Sequence, residues 1–121
     1  MVKDGKLAMG NLEATRDWGY AGDYVKAMWL MLQQPKADDF VIGSGTSRSV
    51  RDMCETAYAT VGLDWREHVV TDPRFLRPAE TAASVADSSK ARKQLGWEPA
   101  MSFKDMLADM VAAHLNRLER R

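Results

Sequence analysis

Apolar residues recur at intervals of three or four positions in four stretches of the chain, and this period predicts four helices. The first helix stops before Pro35, a residue that helix interiors rarely accept. The second begins at Ser49, where Ser49 and Asp52 form a capping-box pattern, and it stops at Gly62. The third runs from Ser88 or Ser89 to Leu95-Gly96, and the fourth starts near Ser102. The apolar face of the first helix comprises Tyr24, Val25, Met28, Trp29 and Leu32, and that of the second comprises Val50, Met53, Cys54, Ala57, Tyr58 and Val61. The apolar face of the fourth comprises Phe103, Met106, Leu107, Met110, Val111, Leu115 and Leu118.

Between these helices the pattern predicts only short extended segments. Residues 5–12 form an extended approach, residues 40–42 are a short apolar run typical of a buried strand, and residues 66–70 are predicted as a second strand. Residues 72–80 contain two prolines and predict an irregular loop. A free-standing doubly wound sheet needs more strands than this. We therefore expect a small α/β, α+β-like domain with few short strands and about four helices, which spans residues 1–121 and completes a larger structure.

The composition fits one small globular domain and excludes several classes of partner. The 121 residues are 45% hydrophobic, and 17 basic residues balance 17 acidic ones, so the formal net charge is zero. A balanced charge gives no general attraction to nucleic acid or to a membrane surface. No segment approaches the roughly 18 apolar residues of a membrane span. Cys54 is the only cysteine, so no disulfide forms within the chain, and we expect a reducing, cytoplasmic setting.

Most sequence patterns of catalysis and metal binding are missing. The chain has no Tyr-x-x-x-Lys pattern and no phosphate-binding loop of the Gly-x-x-x-x-Gly-Lys type. His68, His114 and Cys54 are too scattered along the chain to predict a metal site. Gly43-Ser44-Gly45 resembles the start of a dinucleotide fingerprint, but Arg48 stands at the third glycine position. We therefore expect a tight turn there, and no catalytic, metal or cofactor site in this chain.

Two segments combine cations with features that fix their position. In Arg16-Asp17-Trp18-Gly19 an arginine stands where a loop enters a helix. In Arg77-Pro78-Ala79-Glu80 the proline stiffens the loop and restricts Arg77 to extended conformations. A guanidinium suits a diphosphate, and a carboxylate suits a sugar diol. On the residues alone, an arginine before proline is more often a solvated or ion-paired surface residue, and both interpretations stay open.

Several spaced motifs follow one another along the chain: Gly10–Val25, Ala27–Gln33, Asp39–Ile42, Ser49–Arg51, Asp72–Glu80, Asp87, Ser89–Ala91 and Leu95–Pro99. In this order they resemble the GDP-mannose 4,6-dehydratases, which are extended short-chain dehydrogenases/reductases. The similarity spans about residues 7–115, nearly the whole chain. It implies that Arg16 contacts the nucleotide diphosphate, that Arg77 is a second diphosphate-binding arginine, and that Glu80 holds the ribose hydroxyls. It also implies that the chain is the C-terminal, substrate-binding domain of this fold.

The same resemblance implies what this chain does not carry. In the family, NADP binds a glycine-rich N-terminal half that also holds the catalytic residues, and the full enzyme converts GDP-mannose to GDP-4-keto-6-deoxymannose. None of those patterns occurs here, so we expect no cofactor in this chain and no activity from it alone. The expected partners are GDP or GDP-mannose, and either a second copy or a missing N-terminal Rossmann half. The alternative is a catalytically inert, truncated domain that self-associates through its uncovered apolar face and has no ligand role.

Overall fold

A computed structural model describes residues 2–77 and 84–120. Its described part contains five α-helices and five short strands, which confirms the expected small α/β class; one helix exceeds the expected number. In chain order the elements are β1 (Val2–Lys3), β2 (Lys6–Met9), β3 (Thr15–Arg16), α1 (Ala21–Leu32), β4 (Arg48–Ser49), α2 (Val50–Ala59), α3 (Trp65–His68), β5 (Val69–Thr71), a 3-10 helix (Pro73–Phe75), α4 (Ser89–Leu95) and α5 (Phe103–Glu119).

Side-chain caps fix the starts of α2 and α5, whereas α1 and α4 begin without one. Ser49 Oγ accepts the amide N–H of Asp52 at 3.0 Å, and Asp52 Oδ2 accepts the amide of Ser49 at 2.9 Å, which confirms the predicted capping box. Ser102 Oγ likewise accepts the amide of Asp105 at 3.1 Å and begins α5. The predicted short helix α4 ends at Gly96, whose φ of 62° lies in the left-handed region that favours glycine.

The strands form two separate small sheets. In the first, β1 pairs antiparallel with β2, and β2 pairs parallel with β5. In the second, β3 pairs antiparallel with β4, which places Thr15 opposite Ser49 and Arg16 opposite Arg48. The second sheet therefore joins the loop before α1 to the start of α2.

The prediction of a strand over residues 66–70 is wrong for its first half. Residues Trp65–His68 form α3, because Asp64 caps a helical turn by accepting the amide of Arg66 at 2.9 Å. Only Val69–Thr71 is a strand, and it pairs with β2.

The predicted strand over Phe40–Ile42 is not paired. Phe40 and Ile42 pack against the core while Val41 is 56% exposed, so the side chains alternate as in a strand. Within residues 2–77 and 84–120, however, no backbone group hydrogen-bonds to this segment. The apolar pattern predicted burial of alternate side chains correctly, but a strand also needs a neighbour, and β3 pairs with β4 instead.

Two apolar clusters hold the elements together. The first joins α1 to α4 through Ala27, Ala91, Leu95 and Trp97, and Trp97 is only 1% exposed. The Nε1–H of Trp97 donates to the backbone oxygen of Asp23 at 2.8 Å, so the indole is both packed and hydrogen-bonded. The second cluster joins α2, α3 and the first sheet, and its buried members are Cys54, Trp65 and Val69.

The predicted apolar faces of α1 and α5 are only partly buried. In α5, Met106 and Leu107 are buried, whereas Met110, Leu115 and Leu118 are exposed because the helix extends beyond the elements that it packs on. In α1 the core lies on the side of Ala27, so that Val25, Met28, Trp29 and Leu32 are 62%, 59%, 59% and 83% exposed. None of the described helices is long and apolar enough to span a membrane.

Candidate functional site

Arg16 stands at the edge of an open cleft. It ends β3, its side chain is exposed, and its Nη1 donates to the backbone oxygen of Thr15 at 2.7 Å. In the part of the chain that the structure describes, no carboxylate forms an ion pair with Arg16. The cleft holds about 620 Å³ and is lined by Arg16, Asp17, Tyr24, Val41, Ile42, Gly43, Ser84, Val85, Ala86 and Asp87.

The neighbouring carboxylate, Asp17, ties three segments of the chain together. Its Oδ1 accepts the amide of Ser44 at 2.9 Å and the hydroxyl of Ser44 at 2.5 Å. Its Oδ2 accepts the amides of Gly45 at 2.9 Å and Ala86 at 3.0 Å. Burial alone would raise the pKa of Asp17, but these four hydrogen bonds stabilise the carboxylate and lower the pKa below its ordinary value. Asp17 therefore fixes the backbone from which Arg16 projects.

Gly43 and Ser88 extend this hydrogen-bond network. Ser88 is buried, and its Oγ both donates to the backbone oxygen of Gly43 and accepts the Gly43 amide, each at 3.0 Å. A Cβ at position 43 would overlap the Cβ of Ala86 and crowd the carboxylate of Asp17. Only glycine fits this position without a shift of the 84–88 segment.

The Gly43-Ser44-Gly45 turn does not hold a dinucleotide. The backbone N–H groups of Ser44 and Gly45, which a phosphate would need, already donate to Asp17. The helix that follows begins only at Val50. The segment is thus a tight turn, as the sequence predicts, and its donors serve the protein itself.

Tyr24 adds a neutral hydroxyl to the cleft. Burial raises its pKa, and the negative charges of Asp17 and Asp23 raise it further. The phenol therefore stays protonated at neutral pH and can donate a hydrogen bond. The sequence pattern placed Tyr24 only on the apolar face of α1. The structure shows that Gly19 makes room for this hydroxyl, since a Cβ at position 19 would overlap it.

Arg77, the second predicted site residue, is not brought to this cleft. It is exposed, follows the 3-10 helix Pro73–Phe75, and is not among the residues that line the cleft of Arg16. Glu80 lies outside the described residues. Of the two predicted binding residues that the structure describes, only Arg16 lines the cleft.

A second arginine, which the sequence pattern did not mark as a binding residue, lies across from Arg16. Arg48 faces Arg16 in the β3–β4 pair. The central carbon of its guanidinium lies 5.6 Å from the centroid of the Phe103 ring, and Phe103 stacks on Trp18 at 6.1 Å. Trp18 is thus a packing residue. The sequence could not reveal Arg48, because strand register is set by the folded chain.

The chemistry available in this cleft is recognition of an anion. Arg16 supplies a fixed positive charge with free N–H donors, and Tyr24 supplies a neutral donor. The carboxylate of Asp17 accepts four hydrogen bonds and holds the fold. Neither histidine of the chain lines the cleft. Arg16 is therefore the cationic side chain that lines this cleft, and the carboxylates of Asp17 and Asp87 line it as well.

Comparisons with known proteins agree with this reading of the fold. The family model described as GDP-mannose 4,6 dehydratase matches residues 1–110. GDP-mannose 4,6 dehydratase 1 of Arabidopsis thaliana is 45% identical over 115 residues, which cover 95% of this chain and 32% of that protein. The chain therefore spans about a third of the length of the curated relatives it matches.

Solved structures show the same fold within longer chains. RMD from Pseudomonas aeruginosa, determined with NADPH, superposes with a TM-score of 0.83 at 20% identity and covers 95% of this chain and 37% of that one. UDP-glucose 4-epimerase from Thermotoga maritima, determined with UDP-glucose, gives a TM-score of 0.81 at 27% identity and covers 93% and 36% of the two chains. Together with the family match over residues 1–110, these similarities show that the chain belongs to the GDP-mannose 4,6-dehydratase family and has part of the extended short-chain dehydrogenase/reductase fold.

Proposed function

We propose that this chain binds the GDP part of GDP-mannose, with Arg16 contacting the diphosphate. One observation supports this most directly. Arg16 has no carboxylate partner among the described residues, and it borders a cleft whose backbone is fixed by the Asp17 hydrogen bonds. A cation held at a rigid, uncommitted position is suited to a charged ligand. The name of the family supplies the identity of that ligand, a GDP-sugar.

Arg77 and Glu80 keep the roles that the family resemblance implies. We propose that Arg77 is a further diphosphate-binding residue and that Glu80 holds the ribose hydroxyls. Arg77 is exposed at the end of the described 2–77 segment. The assignment of these two residues rests on the resemblance.

The dehydration of GDP-mannose is proposed for the family fold as a whole and not for this chain by itself. That reaction needs NADP, which takes up and returns a hydride. The Gly43–Gly45 turn does not fit that cofactor, because its amides donate to Ser88 and Asp17. We therefore propose that this chain alone has no turnover and that a Rossmann half supplies the cofactor and the catalytic residues.

Titration of GDP and guanosine into the chain tests this proposal. We expect weak binding of GDP, no comparable binding of guanosine, and no dehydration of GDP-mannose. The expected difference arises because only GDP carries the diphosphate. Equal binding of both ligands would contradict the diphosphate assignment. Turnover by this chain alone would contradict the proposal that a Rossmann half supplies the cofactor and the catalytic residues.

The second candidate is self-association without a ligand role, and the outer face of α1 favours it. Val25, Met28, Trp29 and Leu32 lie on one side of the helix, opposite the core, and all are more than half exposed. A helix that is apolar on two opposite faces is normally buried on both. A second copy, or a Rossmann half, would cover this stripe.

Cys54 is a buried free thiol, and we propose a reducing, cytoplasmic location for either function.

A further inference from the structure

The arginines opposite one another in the β3–β4 pair form an uncompensated charge cluster. Residues directly opposite in an antiparallel pair project from the same face, with Cβ atoms roughly 4.5–5.5 Å apart. Arg16 and Arg48 hold these two positions. Like charges placed this way destabilise a strand pair unless something negative lies between or beside them. The fold thus holds two cations together at a cost that an anion would offset.

Both guanidiniums are positioned but keep most of their donors free. Among the described residues, the Arg16 side chain makes one hydrogen bond, to the backbone oxygen of Thr15. The guanidinium of Arg48 lies over the face of Phe103, and no hydrogen bond joins its side chain to any of the described residues. Stacking on a ring uses the flat face of a guanidinium and leaves its in-plane N–H groups available. Trp18 stacks on Phe103 and steadies this ring.

Carboxylates around the two arginines form other contacts. Asp52 accepts the amide of Ser49, which lowers its pKa, and the positive charge of Arg48 lowers it further. Glu13 pairs with Arg51, and Asp17 accepts hydrogen bonds from Ser44, Gly45 and Ala86. Glu55 lines a cleft together with Arg48, but among the described residues no ion pair joins a carboxylate to Arg16 or Arg48. The two guanidiniums are therefore open to a ligand that carries two adjacent negative groups.

We propose that Arg48 is a diphosphate-binding residue that acts together with Arg16 as a cross-strand guanidinium pair. This inference rests on the proposed function, because it builds on Arg16, and it adds a residue that the family motifs do not mark. Arg48 lines a different cleft from Arg16, together with Trp18 and Phe103, so the strand register alone brings the two arginines opposite one another. Two rigid planar cations on one face select a diphosphate over a monophosphate. Each guanidinium contacts one phosphate group, so removal of either one weakens binding of both pyrophosphate and GDP.

Calorimetric titration of inorganic pyrophosphate, GDP and GMP at low ionic strength tests the pair. The variants are Arg48→Ala, Arg16→Ala and the control Arg66→Ala. Arg66 is a matched control, since it is also exposed and also lies over an aromatic ring, that of Trp65, at 5.8 Å. We expect Arg48→Ala to weaken pyrophosphate and GDP about tenfold or more, as for loss of a charge-assisted hydrogen bond. GMP should weaken less, and Arg66→Ala should change each affinity by less than about twofold.

The outcomes separate this inference from the proposed function. If Arg16→Ala weakens GDP while Arg48→Ala behaves like Arg66→Ala, the pair is wrong and the Arg16 site stands. If pyrophosphate binding depends on both arginines but GDP binds no more tightly than pyrophosphate, the pair stands and the nucleotide assignment fails. If neither pyrophosphate nor GDP binds the unaltered chain, both fail.

A measurement without any ligand checks the charge cluster if the alanine variant folds poorly. Arg16→Gln, Arg48→Gln and the double variant are unfolded thermally at low and at high salt. Relief of repulsion predicts that the second substitution stabilises the chain less than the first, and that this difference shrinks as salt screens the charges. Additive effects that do not depend on salt would show that the two guanidiniums do not interact, and would overturn the pair.

Discussion

At the scale of single residues, Asp17 is more important to the site than its position beside Arg16 suggests. Its carboxylate accepts four hydrogen bonds from Ser44, Gly45 and Ala86, which are distant in the sequence. The sequence marked Arg16-Asp17 as one motif and drew attention to the arginine. In the structure Asp17 holds the surrounding backbone through its hydrogen bonds, while the side chain of Arg16 is exposed at the edge of the cleft.

Replacement of Asp17 by asparagine should destabilise the fold measurably. An amide has one oxygen where the carboxylate has two, so two of the four donors lose their acceptor. We expect a loss of about 1.5–3 kcal/mol in the free energy of unfolding, as for hydrogen bonds to a charged group. Chemical denaturation measures it. Asp109→Asn, on the exposed outer surface of α5, is the control and should have little effect.

The same carboxylate predicts a pH dependence. Because the pKa of Asp17 is lower in the folded state than its ordinary 3.8, the charged form stabilises the fold above that value. This stabilisation is lost as the pH falls from about 4 through the folded-state pKa. Acid unfolding of the unaltered chain and of Asp17→Asn should converge at low pH. A gap between the two that persists unchanged to the lowest pH would contradict the assignment.

At the scale of elements, local chemistry predicted where helices begin, while pairing could not be predicted. The Ser49–Asp52 box and the Ser102 cap are encoded within four residues of each helix start, and both were predicted. The pairing of β3 with β4 depends on chain closure over more than thirty residues, as Thr15↔Ser49 shows. Arg16 was predicted as a site residue from its own sequence motif. Arg48 was not, because only strand pairing brings it opposite Arg16.

The junction between α1 and α4 depends on one side chain, Trp97. It is 1% exposed and donates to the backbone oxygen of Asp23. Trp97→Phe removes ring volume and that donor together, and should cost about 2–4 kcal/mol of unfolding free energy. Trp29→Phe is the matched control, because Trp29 is on the open side of α1 and is 59% exposed. Thermal unfolding compares them, and equal losses would show that the junction is not held at Trp97.

At the scale of the whole molecule, the chain shows one apolar surface that nothing in its described part covers. The stripe on α1 lies opposite the core, and the unpaired segment Phe40–Ile42 follows this helix. The sequence predicted these side chains as one apolar helix face, but apolar period alone does not tell which side of a helix meets its own chain. In the solved structures to which the chain is similar, this fold is 36–37% of a longer chain.

Self-association through this stripe should respond to charge. Met28→Lys combined with Leu32→Glu places charges where apolar contact is expected, at positions that are 59% and 83% exposed. Sedimentation of the unaltered chain should show concentration-dependent association, and the double variant should remain monomeric without loss of helix content. An unaltered chain that is monomeric at all concentrations would contradict this second function.

The central claim, that this chain recognises a nucleotide diphosphate at Arg16, is tested most directly by calorimetric titration of GDP into the unaltered chain and into Arg16→Ala. Arg16 makes no ion pair with a described carboxylate, so its removal should leave the fold intact. Loss of its charge-assisted contact should weaken GDP binding by at least about tenfold. Equal GDP affinities for the two proteins, or no binding to either, would contradict it.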